Sequence, residues 1–297
     1  MKFGAHISIA GGIEKAPERA HEIGCECFQM FSRSPQGGKS LELTEDKINS
    51  FKKNCQKYNL KNYYLHTPYY INLASANNRI YHGSILAIKK ELETADLLGA
   101  KGVITHLGSA KELGEKEARE KLIGGLVKIL AVGTGRDLSL LLEITAGSGN
   151  IMGDNFEEIA YFIKETEKVL RQVQDDKNTK LGVCFDTAHA FASGYDLRNK
   201  KAVQKTFDDF DRIIGIKRLK LIHCNDSKVD LGSRVDRHEN IGKGKIGIAG
   251  FEAILKEPRL KGLDFILETP QGGVKQDLKV LRKLKNYLTL CLNSIKK

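Results

Sequence analysis

Residues 181–196 read LGVCFDTAHAFASGYD: an apolar run that stops at Asp186 and is followed three residues later by His189, where a strand would turn into a helix. A run without polar alternation suits a parallel strand covered on both faces. The same device recurs along the chain. FGAH ends at His6, YYLH at His66, GVITH at His106, LSLLLE at Glu143, LKLIH at His223 and LDFILE at Glu268; only the run from Phe28 to Phe31 breaks the series. Asp and Glu number 37 and His 8 in 297 residues, so chance placement at nearly every run end is improbable. From His66 onward the run ends lie 37 to 45 residues apart, room for one helix, one strand and their loops. This alternation predicts a (β/α)8 TIM barrel occupying residues 1–297 as one domain, with its active site where the C-terminal strand ends converge.

Composition fits that reading. A chain of 297 residues with 41% hydrophobic content has ample material for one large core. The opening MKFGAHISIAGG is broken at once by His6, Ser8 and paired glycines, which reads as a strand and loop rather than a signal peptide. No run approaches the roughly 18 apolar residues of a membrane span, so a soluble, cytoplasmic protein with no membrane partner is expected. The six cysteines include no CxxC pair, which argues against a disulfide framework or a thiolate zinc ribbon. A net charge of +11 suits a polyanionic partner, although segments such as KEARE mix both signs like an ordinary solvated helix face.

Helical spacing fills the intervals between runs. Ser84 is expected to cap a helix carrying Ile85, Ile88, Leu92, Ala95 and Leu98, with Gly99 as the stop. Asp154 and Glu157 resemble a capping box ahead of a stripe of Phe156, Ile159, Ile163, Leu170 and Val173. Further helices are expected near 44–57, 115–131, 200–214 and 275–290. Such stripes are core contacts and imply no cofactor.

The strand-end residues carry the chemistry. Imidazoles and carboxylates without thiolate suit zinc, manganese or iron in a hydrolytic site that keeps a position open for water. Asp186 and His189 can both face the barrel mouth, and Asp236 and His238 in GSRVDRHENIG fall on one side of an extended loop. With His66, His106, Glu143, His223 and Glu268 these make nine candidates, more than one metal takes. Two or three metals sharing a bridging carboxylate is the economical solution, and metals about 3.5–4 Å apart are the arrangement that cleaves phosphodiesters. His21, in a polar helix, and His82 read as ordinary structural or solvent-facing residues. His6 lacks the second histidine of an HxH motif and is placed behind the ligands. Lys228, Arg234, Arg237, Lys243 and Lys245 cluster near Asp236 and His238 as candidate phosphate contacts, partly offset by Asp226, Asp230 and Glu239. The glycine stretches GSGN and GKGKIG match no nucleotide fingerprint and read as tight loops at the mouth.

Taken together, GAHISIAGG, LHTPYYINLAS, GVCFDTAHAFASGYDL, LIHCNDSKVDLGSRVDRHENIGKGKIG and ILETP closely resemble the endonuclease IV family of apurinic/apyrimidinic endonucleases, in order from residue 4 to about residue 270. The resemblance implies three Zn2+ ions per chain, with Mn2+ admissible at some positions. His66, His106 and Glu143 would hold the first, and Glu143 would bridge to the second, completed by Asp186, His223 and Glu268. His189, Asp236 and His238 would hold the third. It further implies cleavage of the phosphodiester 5′ to an abasic site in double-stranded DNA, leaving a 3′-hydroxyl and a 5′-deoxyribose phosphate, with trimming of blocked 3′ ends. Glu143 is then the catalytic carboxylate, Tyr69 and Tyr70 insert into the DNA, and the protein acts as a monomer. The loop FSRSPQGGK departs from the family pattern, with Gln36 where many relatives carry Arg and Gly38 where they often carry an aromatic; Arg33 is the cation placed to compensate. The rival reading is a divalent-metal sugar isomerase of the xylose isomerase type, which would use two metals and have no need of Asp236 and His238 in a basic loop. A non-catalytic DNA-binding module is the third, and the complete ligand set argues against it.

Overall fold

The computed structural model describes residues 1–35, 43–131, 138–173 and 180–295. Eight parallel strands close a barrel: β1 (Lys2–Ile7), β2 (Cys27–Phe31), β3 (Tyr63–His66), β4 (Gly102–Thr105), β5 (Ser139–Glu143), β6 (Lys180–Asp186), β7 (Leu219–His223) and β10 (Asp264–Leu267). Their order around the barrel is β1-β10-β7-β6-β5-β4-β3-β2, so sequential barrel strands are neighbours and the last closes on the first. Two short strands between β7 and β10, β8 (Asp226–Ser227) and β9 (His238–Glu239), form a separate antiparallel ribbon. The helices are α1 (Ala16–Glu22), α2 (Glu45–Lys57), α3 (Asn78–Leu98), α4 (Glu115–Leu130), α5 (Phe156–Val173), α6 (Thr187–Ser193), α7 (Lys200–Ile213), α8 (Gly247–Lys256) and α9 (Val274–Ile295). Among the described residues no helix is long and apolar enough to cross a membrane.

Two helix starts differ from the sequence expectation. Helix α3 begins at Asn78 rather than near Ser84, because the Asn77 side chain already accepts from the Arg79 and Ile80 amides. Ser84 lies inside the helix, donating to the Ile80 carbonyl one turn back and accepting from the Asn72 amide, which ties the loop after β3 to α3. Helix α5 is capped one residue later than expected. Asn155 accepts from the Glu158 amide, and Glu158 accepts from the Gly153 amide, leaving Asp154 to bind Arg234. Ile85, Ile88, Leu92, Ala95 and Leu98 are buried, as are Phe156, Ile159 and Ile163, with Leu170 partly so; the Val173 side chain lies outside those described.

The barrel interior explains where the functional groups go. Cys27, Tyr64, Ile104, Leu141, Cys184, Leu221 and Ile266 form one buried cluster, one residue from each strand except β1. Strand β1 contributes Gly4, where a Cβ would collide with the Cys27 carbonyl of β2. Side chains along a strand alternate in direction, so the residue two places on from each of these also points inward, at the C-terminal mouth. Those residues are His6, Gln29, His66, His106, Glu143, Asp186, His223 and Glu268. The apolar layer below seals the mouth from the far end of the barrel.

Candidate metal centre

Glu143 sits at the middle of the mouth, fully buried, and its two oxygens face different partners. Oε2 lies 3.0 Å from His66 Nε2 and 2.9 Å from His106 Nε2, whereas Oε1 lies 2.9 Å from His223 Nδ1. His223 Nδ1 is in turn 3.2 Å from Glu268 Oε2 and 3.8 Å from Asp186 Oδ2. On the other side, His238 Nε2 is 3.7 Å from Asp186 Oδ2 and 3.4 Å from His189 Nε2. Three groups of potential metal ligands result: His66, His106 and Glu143; Glu143, Asp186, His223 and Glu268; and Asp186, His189 and His238. Within each group one donor atom per residue lies within 4.8 Å of the others. Asp236 stands at the rim of the third group, its Oδ1 3.2 Å from His189 Nε2 and 3.5 Å from His238 Nε2. Eight of the nine residues singled out from the sequence therefore fall in compact groups and the ninth borders one. Geometry adds that Asp186 belongs to two groups, which spacing along the chain could not reveal.

Local structure aims these donors. The His66, His189 and His238 Nδ1 atoms donate to the carbonyls of Thr67, Ile144 and Glu268, at 2.7, 3.0 and 3.2 Å. A carbonyl only accepts, so Nδ1 carries a proton and Nε2 is the nitrogen left for a cation on the side facing the site. Asp186 caps α6 by accepting from the His189 amide at 2.8 Å, which locks both residues at the strand-to-helix turn. Asn225, overlooked in the sequence, donates to Asp186 Oδ2 at 2.7 Å and accepts from the Glu268 amide at 2.7 Å, holding two strand ends together.

The donor set fits divalent cations. Burial alone would raise the Glu143 carboxyl, but the His106 and His223 imidazoles outweigh it and hold the group well below the usual carboxylate range. Burial likewise opposes charge on His106 and His189, yet Glu143 beside the first and Asp186 beside the second raise both imidazoles above their ordinary value. The carboxylates thus favour positive charge beside His106 and His189, where cations would compete with protons for the ring nitrogens. Thiols play no part among these donors: burial pushes Cys184, beneath the site, up to about 12.

A cavity of about 390 Å3 opens onto this constellation, with His6, Phe31, Tyr69, Asp236 and Val274 in its wall. Tyr69, in the cavity wall, is 70% exposed and stands edge-on to Phe31 at 5.3 Å, and its neighbour Tyr70 is 42% exposed. Lys228, Arg234 and Arg237 are exposed on the excursion between β8 and β9. Arg234 adopts a left-handed φ of 56°, held by its amide on the Ala192 carbonyl and its guanidinium on Asp154. Arg237 donates to the Asp236 carbonyl, steadying the loop that carries Asp236. Arg33 turns inward instead. Its Nε is 2.8 Å from the buried Glu91 carboxylate, and its side chain is only 12% exposed. Gln36 and Gly38 lie outside the described residues.

Asp226 does not offset the basic loop as its charge suggested in the sequence. It is buried and accepts from the amides of Ser227, Gly242, Gly244, Ile246 and Gly247, so its carboxylate folds GKGKIG into a tight turn and leaves Lys243 and Lys245 exposed. His6, in the cavity wall, lies 3.5 Å from Glu268 Oε1 through its Nδ1. His21 and His82 are exposed, away from the mouth.

Comparison with known proteins agrees with the geometry. Residues 17–284 match the family model described as xylose isomerase-like TIM barrel. "Probable endonuclease 4" of Nitrosopumilus maritimus is 38% identical over 289 residues, covering 97% of this chain and 100% of that protein. The protein of the same name from Chlorobium limicola is 40% identical over 286 residues, covering 95% of each. The crystal structure of endonuclease IV from Thermus thermophilus superposes with a TM-score of 0.83 at 33% identity, covering 97% of this chain and 100% of that one. A D-tagatose 3-epimerase-like protein shares the fold alone, with a TM-score of 0.70 at 22% identity. Closely spaced strand-end imidazoles and carboxylates, the loop motifs around them and full-length identity with these relatives converge on one assignment: the chain belongs to the endonuclease IV family, DNA-cleaving hydrolases on a xylose isomerase-like TIM barrel.

Proposed function

We propose that this protein is a DNA-repair endonuclease that hydrolyses the phosphodiester 5′ to abasic sites in double-stranded DNA, leaving a 3′-hydroxyl and a 5′-deoxyribose phosphate, with three Zn2+ ions per chain. Blocked 3′ ends present the same phosphoester chemistry and would be trimmed at the same site. The observation that carries the reading is the division of the two Glu143 oxygens between His66 and His106 on one side and His223 on the other, the disposition of a carboxylate that bridges two cations. When bound, the cations would activate water and neutralise charge on the phosphoryl oxygens. His66, His106 and Glu143 would hold the first; Glu143, Asp186, His223 and Glu268 the second; and His189, Asp236 and His238, with Asp186 alongside, the third. Mn2+ could replace zinc where oxygen donors dominate. All nine donors come from one chain, which supports action as a monomer.

The chain's own residues supply recognition. The exposed Tyr69 and Tyr70 would enter the duplex beside the lesion, where the missing base lowers the cost of unstacking. Lys228, Arg234 and Arg237 offer charge to the backbone phosphates, although Arg234 would have to exchange Asp154 for phosphate. Arg33, paired with Glu91, would act by fixing the β2 loop more than by meeting DNA directly.

The test is a duplex carrying one tetrahydrofuran abasic analogue. Incision is expected in the zinc-replete protein, should vanish after prolonged dialysis against a strong chelator, and should return on adding Zn2+. Incision that persists in the metal-free protein, or aldose isomerisation in place of incision, would overturn the reading.

A further inference from the structure

Gln29 occupies the strand that carries no imidazole or carboxylate at its end. It is fully buried, and it follows Cys27 of the interior cluster by two residues, which turns its amide into the mouth. Its Nε2 lies 2.7 Å from Glu268 Oε1 and 3.0 Å from His6 Nδ1, and its Oε1 lies 2.7 Å from His223 Nε2. The amide orientation follows from its neighbours. A carboxylate accepts and does not donate, so the Gln29 nitrogen faces Glu268 and its oxygen faces His223. An amide oxygen also only accepts, so His223 carries a proton on Nε2, and Nδ1 is the nitrogen a cation would take in place of the proton that Glu143 and Glu268 otherwise accept. That Nδ1 is the atom gathered with Glu143, Asp186 and Glu268. His66, His189 and His238 have the opposite arrangement, with Nδ1 on a backbone carbonyl and Nε2 toward the site. For His223 the side chain from β2 takes the part that a backbone carbonyl plays for the other three.

We propose that Gln29 is a positioning residue of the metal centre: it fixes His223 in the tautomer that offers Nδ1 to a divalent cation and holds Glu268 Oε1 so that Oε2 turns to the same cation. The inference rests on the metal site described above but not on the DNA substrate, so metal binding tests it separately from incision. Partners that orient ligands in this way are worth about 10–100-fold in metal affinity. Both N–H groups of the amide are engaged, one by Glu268 and one by His6, so an apolar residue of similar size removes all three contacts together.

Two measurements test it. In the zinc-loaded wild-type protein, long-range proton–nitrogen NMR should show His223 protonated on Nε2, and His66, His189 and His238 protonated on Nδ1; a proton on His223 Nδ1 would overturn the proposal. In Gln29→Leu and Gln29→Met, competition with a chromophoric chelator should show one zinc site weakened about 10–100-fold and the others within about twofold. The metal-free variants should melt close to the metal-free wild type. Three unchanged zinc affinities would contradict the proposal. So would a uniform loss of all three together with a lowered melting temperature of the metal-free protein, since that pattern belongs to packing alone. If the protein fails to cut abasic DNA while the selective zinc loss is observed, the proposal for Gln29 stands and the proposed substrate falls.

Discussion

Glu143→Gln should reduce incision at an abasic analogue by at least about 10³-fold while leaving DNA affinity within a few-fold of the wild type. The substitution keeps size and shape but replaces one acceptor oxygen with an NH2 group, which cannot ligate a cation. In the present arrangement Oε2 serves His66 and His106, and Oε1 serves His223. Whichever way the new amide turns, one of the two flanking groups loses its shared donor. The rim tyrosines and the exposed loop cations touch neither oxygen, so recognition should survive. Incision kinetics alongside a binding isotherm on the same duplex separate the two effects. Near-normal turnover would mean that Glu143 bridges nothing. A parallel loss of binding would mean that it helps shape the DNA surface.

His238→Ala should leave about two zinc ions per chain instead of about three, with incision lowered roughly 10²-fold. His238 sits on β9, outside the barrel wall, and is aimed by its Nδ1 on the Glu268 carbonyl. Removing the imidazole leaves His189, Asp186 and the half-exposed Asp236, whereas every donor around Glu143 remains in place. Elemental analysis of the variant after exhaustive buffer exchange reads the count directly. Retention of all the metal would show that Asp236 and His189 suffice without His238. Loss of every ion would show that the three groups form one indivisible cluster.

The strand ends were legible in the sequence because a parallel barrel strand is a short apolar run, against which a polar residue at the mouth end stands out. His66, Glu143, Asp186 and His223 end their strands as read, and His106 and Glu268 follow theirs by one residue. The misses have equally local causes. Gln29 escaped notice because a neutral amide is neither a common metal ligand nor a charge, although the period of two from Cys27 marks its direction. Asp226 looked like a surface charge because burial cannot be seen in a lone acidic residue; the glycines at 242, 244 and 247 were the signal that a backbone turn was being gathered around an acceptor. Ser84 and Asp154 were plausible caps, but Asn77 and Asn155 lay nearby with the same chemistry and captured the helix starts. Arg33 looked like a free cation beside the mouth because its partner, Glu91, comes from α3, 58 residues away.

The most direct measurement is end-group mapping of the product from a duplex labelled on the damaged strand and carrying a single abasic analogue, incubated with the zinc-loaded protein. One cut immediately 5′ to the lesion is expected, with a 3′-hydroxyl that a polymerase extends without further processing and no product after chelation. A cut 3′ to the lesion, a 3′-end that a polymerase cannot extend, or no cut in a protein shown to hold its zinc would contradict the proposed function.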